Sequence, residues 1–296
     1  MDIIEGLLFA FFWASATIAT KFAVRSADPF LLTFLRFALV SIILLTYIYI
    51  IKRKSNRWPR IGEWRHLLIL GLCNVTLYMT GYLIAIQTVS AGLISLATAT
   101  NPLILILLSA VFLDKRPSAR QWIGIVISIS GLVLASIPNL MHSHVTFKGL
   151  MALIAGITAL SSGSIYFSKN KMDLPRMAVN SWQITIGGFF FLPVIWLNRA
   201  NSFIKLDLNF ALSFIWLVVP VSIVAYSLWL NLVLKDPVKA GGWLFLTPVL
   251  GYIMAILILH EQVTLFGTVG AILVVCGLMY SRQTNRAQKN KLNSIS

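Results

Sequence analysis

IGIVISISGL, residues 123–132, and VGAILVVCGL, residues 269–278, decide the fold. Gly124 and Gly131 of the first stretch recur as Gly270 and Gly277 in the second, and Pro102 recurs as Pro248, each 146 positions later. The chain therefore reads as two copies of one unit, at residues 1–145 and 146–281, with a basic tail at 282–296. In a membrane sequence a duplication of this length points to a carrier, because paired halves build a binding site where they meet.

That the sequence is a membrane sequence follows from composition. Of 296 residues, 58% are hydrophobic and 11% charged, against usual shares near one half and one quarter. A bilayer core takes about 20 apolar residues per helix, and this chain offers one such stretch after another. Ten helices are expected at 5–23, 30–51, 66–84, 92–113, 121–138, 149–168, 177–197, 211–232, 240–259 and 265–281. The fold class is thus all-α and polytopic. Five helices per half is an odd number, so the second copy enters the membrane from the other side and the repeats are inverted around a central cavity.

The net charge of +15 would suggest nucleic acid in a soluble protein. Here 18 of the 24 Lys and Arg residues fall in alternate loops, four in the opposite loops, and only Lys21 and Arg36 inside helices. The positive-inside rule then places both termini in the cytoplasm of a multi-pass inner membrane protein. Membrane lipid is the expected surroundings, the tail at 282–296 lying disordered near anionic headgroups, and no nucleic-acid partner is implied. Trp58, Trp64, Trp122 and Trp182 near the inner face suit an aromatic belt, with Trp196 near the outer. Ala14-Ser15-Ala16 looks like a cleavage site, but Asp2 and Glu5 are the only charges before the apolar run, so the first segment is expected to stay as a helix. Cys73 and Cys276 lie mid-way along apolar segments with no metal-ligand spacing and read as small packing residues.

Scattered residues in both halves carry a resemblance: Trp13-Ala14-Ser15 with Lys21, Arg36-Phe37, Asn101-Pro102, Leu113-Asp114-Lys115-Arg116, Gln121-Trp122-Ile123-Gly124, Thr247-Pro248, His260-Glu261, and Gly267 to Gly277. In this order and spacing the chain resembles the EamA-type branch of the drug/metabolite transporter superfamily over nearly its whole length. The resemblance implies five-plus-five inverted topology, a central cavity and transport of small metabolites, often outward. Ala14 stands where that family commonly has glycine. Lys115 stands where its first repeat usually ends in glutamate, while Glu261 keeps that residue in the second.

Candidate cavity residues follow from helical spacing. Trp13, Thr17 and Lys21 share one stripe of the first helix; Lys21 either snorkels to headgroups or faces the cavity and attracts a carboxylate. Arg36 lies six residues inside its helix, where a charge costs on the order of 3 kcal/mol, and the repeat puts neutral Gln183 at the matching position. Its partner is a backbone carbonyl, Asp28, or an anionic solute. Asn74, Tyr78 and Tyr82 form a face of the third helix, paired in the repeat with Ser222, Tyr226 and Trp229 of the eighth. Such polar-tipped aromatics line apolar pockets or pack helices. Thr98 and Asn101 precede Pro102, and Trp243 and Thr247 precede Pro248, which marks paired bends or hinges. Ser164 of the sixth helix is a further lining candidate, or a small packing residue.

No Asp or Glu falls inside a helix, unlike proton-coupled exporters of cationic drugs. The function expected is alternating-access transport, as an exporter, of a small neutral, zwitterionic or anionic metabolite such as an amino acid. No catalytic residue, cofactor or metal site is expected, and the protein is not expected to be an enzyme. The rival readings are a lipid flippase and a membrane-embedded enzyme acting on a lipid or isoprenoid substrate, although His66, His142, His144 and His260 all lie at membrane edges.

Overall fold

The computed structural model of the chain describes residues 2–52, 57–112, 117–141, 147–170, 172–198, 202–235, 243 and 246–293. Among them, eight helices are long and apolar enough to cross a membrane: Ile3–Ala23, Pro29–Ile51, Ile61–Thr88, Ala91–Phe112, Ala119–Pro138, Phe147–Phe167, Met177–Leu197 and Leu208–Trp229. Two shorter apolar helices follow, Leu246–Leu259 and Leu265–Ser281. In chain order these are the first to tenth spans, two five-helix repeats with no named strand among the described residues. One isolated bridge joins Ala27 to Ile204.

Several ends differ from the sequence reading, for local reasons. The third span starts at Ile61 rather than 66 because Glu63 turns back to accept from the Arg60 N–H (2.7 Å). It runs on to Thr88, and Ser90 then caps the next helix by accepting from Leu93 N (3.3 Å). The ninth span was expected from 240, but 236–242 lie outside the described residues and its helix is described from Leu246. The last helix continues to Asn293, so the end expected to be disordered is helical that far: no Gly or Pro follows Gly277 to stop it.

The fourth span is two helices, Ala91–Thr98 and Asn101–Phe112, parted at Ala99 and Thr100. Pro102 has no N–H to return to Thr98, and the Thr100 hydroxyl donates to Ala97 O (2.6 Å) instead. The residues just before Leu246 that would show the matching bend at Pro248 are outside the described set. A second irregularity has no counterpart in the sequence reading. The third span widens into a π-helix at Gly71–Leu77 and the eighth at Leu217–Ala225, the latter around Pro220. In each a hydroxyl donates to the carbonyl five residues back, Thr76 to Gly71 (3.4 Å) and Ser222 to Leu217 (2.8 Å). Such widened turns recur where helices carry function.

Packing makes the two-fold relation visible. A Cβ on Gly124 would come 2.6 Å from Gly277 O, and one on Gly277 would come 2.7 Å from Gly124 O. Gly131 and Gly270 face each other in the same reciprocal way, at 2.7 and 2.5 Å. The first glycine of one repeat thus meets the second of the other, as antiparallel helices require, and Ser128 between them donates to Val274 O (3.2 Å). The small-residue faces of the fifth and tenth spans pair with each other within one chain.

At the face opposite the termini, the loop after the first span and the loop before the eighth are tied. Asp28 N donates to Phe203 O (2.8 Å) and Lys205 N to Ser26 O (2.7 Å); Ser26 Oγ donates to Asp207 (2.9 Å). Asp207 also caps the eighth span by accepting from Phe210 N (2.7 Å). That backbone donor first, and the Ser26 hydroxyl second, hold its carboxyl below the usual aspartate value of 3.8. A depressed pKa stabilises the fold above the unfolded value and ceases to as pH falls through the folded one. Asp207→Ala should therefore lower the thermal midpoint at pH 7, with the gap to wild type closing below pH 3.8. A gap unchanged down to pH 2.5, roughly a unit lower, would show that the charge contributes nothing.

Candidate functional site

Ile3, Ile4, Leu7, Leu8 and Phe11 of the first span are exposed. At 100° per residue they centre on one face, and Trp13 projects about 150° away from it. Trp13 is nevertheless 43% exposed, so its accessible surface lies on the side of the helix turned away from that apolar face. One turn along, Thr17 is covered, 9% exposed, where the Tyr82 hydroxyl meets Thr17 and Thr20. Toward the termini, the Trp243 indole lies against Gly6 and Trp229 stacks on Phe9, ring centroids 5.1 Å apart. Trp13 thus stands exposed between covered positions on either side along the first span.

Arg36 reaches this region from the second span. Its Nε donates to Ser222 Oγ (2.9 Å), in the π-turn of the eighth span, and its charge feels Tyr82 and Tyr78. Two of the partners considered for it drop out. Asp28 caps its own helix by accepting from Leu31 N (2.8 Å), about 12 Å along the axis from Arg36, and no backbone carbonyl among the described residues takes a bond from the guanidinium. A half-buried cation held by one hydroxyl and one ring face has donor capacity left over, since guanidinium carries five N–H groups.

The repeat-related contact is neutral. Gln183, where the second half matches Arg36, accepts from Asn74 Nδ2 (3.1 Å) and donates to Asn180 Oδ1 (2.7 Å). Asn74 Oδ1 and Asn180 Nδ2 are buried without partners, one acceptor and one donor at the two ends of the chain of amides. Because spans two and seven enter from opposite faces, the cationic and amide niches sit on opposite sides of the midplane. Asn180 was not among the residues singled out from sequence. Its signal was available, as the i, i+3 amide pair Asn180 and Gln183 on a strongly amphipathic helix.

The other candidates scatter. Lys21 neither faces headgroups nor waits for a carboxylate: its Nζ donates to Ile86 O (2.6 Å) and Val89 O (2.7 Å), closing the carbonyl end of the third span. Asn101 accepts from Ser161 Oγ (2.6 Å), pinning the broken fourth span to the sixth. The hydroxyls of Thr98 and Ser164 turn back onto their own helices, to Ile94 and Ser95 (3.0 Å each) and to Leu160 (2.9 Å). Tyr226 and Thr247 are half-buried, and Pro248 is buried. Trp58, Trp64 and Trp182, expected as a belt, stack on one another and on Tyr49, to which Trp182 donates (2.8 Å). With Arg57 bridging Glu63 and Asp173, they tie the two repeats at the termini face. Among the described residues no three His, Cys, Asp or Glu converge as a metal site would need.

The EamA-like transporter family matches the chain twice, over residues 2–137 and 147–282. An uncharacterized transporter of Archaeoglobus fulgidus is 25% identical over 275 residues, covering 90% of this chain and 92% of that protein. A probable amino-acid metabolite efflux pump of Escherichia coli is 26% identical over 290 residues, covering 94% and 93%. Protein PecM of Dickeya dadantii is 23% identical over 96% of this chain and 94% of its own. A crystal structure with 17% identity superposes with a TM-score of 0.63 over 97% of this chain and 98% of that one, a likeness of fold alone. Two matched repeats, ten apolar helices and reciprocal glycine packing lead to one statement: the chain belongs to the EamA-like transporter family, a multi-pass membrane transporter and not an enzyme.

Proposed function

We propose that the protein exports a small zwitterionic or anionic metabolite with a carboxylate, an amino acid in the first instance, by alternating access between its inverted repeats. The reading rests on Arg36, a partly buried guanidinium whose partners among the described residues are the Ser222 hydroxyl and the face of the Phe37 ring. A carboxylate supplies the missing counter-charge in a two-pronged bond, and Tyr78 and Trp13, neither of them buried, offer ring faces to an apolar side chain. The amide niche of Asn74, Asn180 and Gln183 accepts neutral polar groups. The distribution of basic loops supports cytoplasmic termini in a cell membrane, and the similarity to a probable amino-acid metabolite efflux pump supports the direction and solute class.

Proteoliposomes loaded with labelled amino acids test this directly. Saturable, protein-dependent efflux of amino acids is expected, with none of a cationic dye. Saturable movement of the dye alone, or of lipid alone, would overturn it.

A further inference from the structure

Glu261 follows the ninth span, yet its carboxylate works on the fourth. Oε1 accepts from Ala91 N (2.6 Å) and Oε2 from Gly92 N (3.1 Å), the free amides that open the helix Ala91–Thr98. Lys21, from the first span, closes the carbonyl end of the preceding helix across the same joint. A helix N-terminus carries partial positive charge and a C-terminus partial negative charge, so each end receives the ion it favours. Of these two ions, Glu261 is the one that joins one repeat to the other. The adjoining surfaces are close as well: Gly251 of the ninth span leaves no room for a Cβ beside Ser95, which would lie 2.5 Å away, and Gly92 abuts Tyr252.

The geometry points to Glu261 as a carboxylate latch that holds the gate opposite the termini shut. Residue 115, which precedes Glu261 by the repeat interval of 146, is a lysine, so the sequence does not repeat the carboxylate. Closing the gate at Glu261 gains charge-assisted bonds, so ligand-free protein favours states closed opposite the termini. Two neighbours fit a latch that lets go. A cavity of about 370 Å³ borders Glu261 between Ser90, Tyr252 and Thr264, where a released carboxylate can be hydrated. His260, at the turn that aims Glu261, has φ 54°, a conformation side chains other than glycine adopt at a cost.

This inference rests on alternating access, and its test separates the two. In a background with Cys73 and Cys276 replaced by Ser, Trp13→Cys supplies the reporter, at the exposed position on the side of the first span turned away from its apolar outer face. A membrane-impermeant maleimide is then applied to right-side-out and inside-out vesicles. Glu261→Gln keeps the shape but removes the charge, and the ratio of labelling from the face opposite the termini to labelling from the termini face should rise about tenfold, the weight of a charge-assisted hydrogen bond. Glu261→Asp, whose shorter arm cannot span both amides, should raise that ratio several-fold. His260→Gly, which frees the turn and keeps the carboxylate, should stay within about twofold of wild type. An unchanged ratio in Glu261→Gln, or equal increases at both faces, overturns the latch; if that variant does not accumulate, an unchanged ratio in Glu261→Asp overturns it alone. Labelling from neither face, or equally from both in all variants, would instead sink alternating access itself.

Discussion

Replacing Arg36 by Gln should lower kcat/KM for carboxylate-bearing amino acids by about 30- to 100-fold, the loss expected for a buried charge-assisted bond to a carboxylate. The same substitution should leave the protein as stable as wild type or more so. A charge within a span costs on the order of 3 kcal/mol, and the only hydrogen bond lost among the described residues is the one to Ser222, for which a Gln amide is an adequate donor. The second repeat already carries that chemistry, with Gln183 bonded to Asn74. Stability and transport therefore move apart, which a purely structural arginine does not allow. Arg36→Lys keeps the charge but not the fork, and should fall between wild type and Gln. The measurements are initial efflux rates in proteoliposomes and the thermal midpoint in detergent. If amino-acid amides without the carboxylate lose as much as their parent amino acids, Arg36 is not reading a carboxylate. If efflux falls only in step with the midpoint, it holds the helices and nothing else.

How much of this was legible in sequence depends on the distance over which each residue acts. The repeat, the ten apolar helices and the paired glycines were plain, because they are properties of single segments compared with each other. Gly124 and Gly277 announced close packing, though not that they pack on each other. Lys21 was open between headgroup and solute because its true partners, the carbonyls of Ile86 and Val89, lie 65 and 68 positions away and exist as acceptors only once the third span ends there. Arg36 was flagged by cost alone; Ser222, 186 positions on, became its partner only after the eighth span widened. The π-turn at Gly71–Leu77 has no proline or other local sign, so backbone widening there is a tertiary effect. Glu261 was noted as a family mark, while its task, capping a helix of the other repeat, required the fold.

The largest loss of stability should come from the fifth and tenth spans. Gly124→Ala would place a Cβ 2.6 Å from Gly277 O and 2.6 Å from the Ser281 Cβ, and Gly131→Ala one 2.7 Å from Gly270 O. Carbon atoms do not approach backbone oxygen so closely, and a carbonyl cannot rotate aside as a long side chain can. The helices must separate, and the Ser128 bond to Val274 O and the contacts around Val274, which is fully buried, go with them. Overpacking of this kind costs about 1–3 kcal/mol per site. The two sites share one interface, so the double variant should not be additive; the second methyl enters a gap the first has opened. Gly62→Ala is the control: nothing lies within 4 Å of its would-be Cβ, and in the first turn of a helix Ala is favoured over Gly by about 0.5–1 kcal/mol. Unfolding midpoints in a denaturing-detergent titration should fall for Gly124→Ala and Gly131→Ala and hold or rise for Gly62→Ala. In the alternating access proposed above the two repeats move while this pair stays joined, and on that reading the weakened variants should lose efflux only as they lose folded protein. Were Gly124→Ala as stable as Gly62→Ala, the fifth and tenth spans would not be in backbone contact, and the antiparallel pairing of the halves would have lost its firmest support.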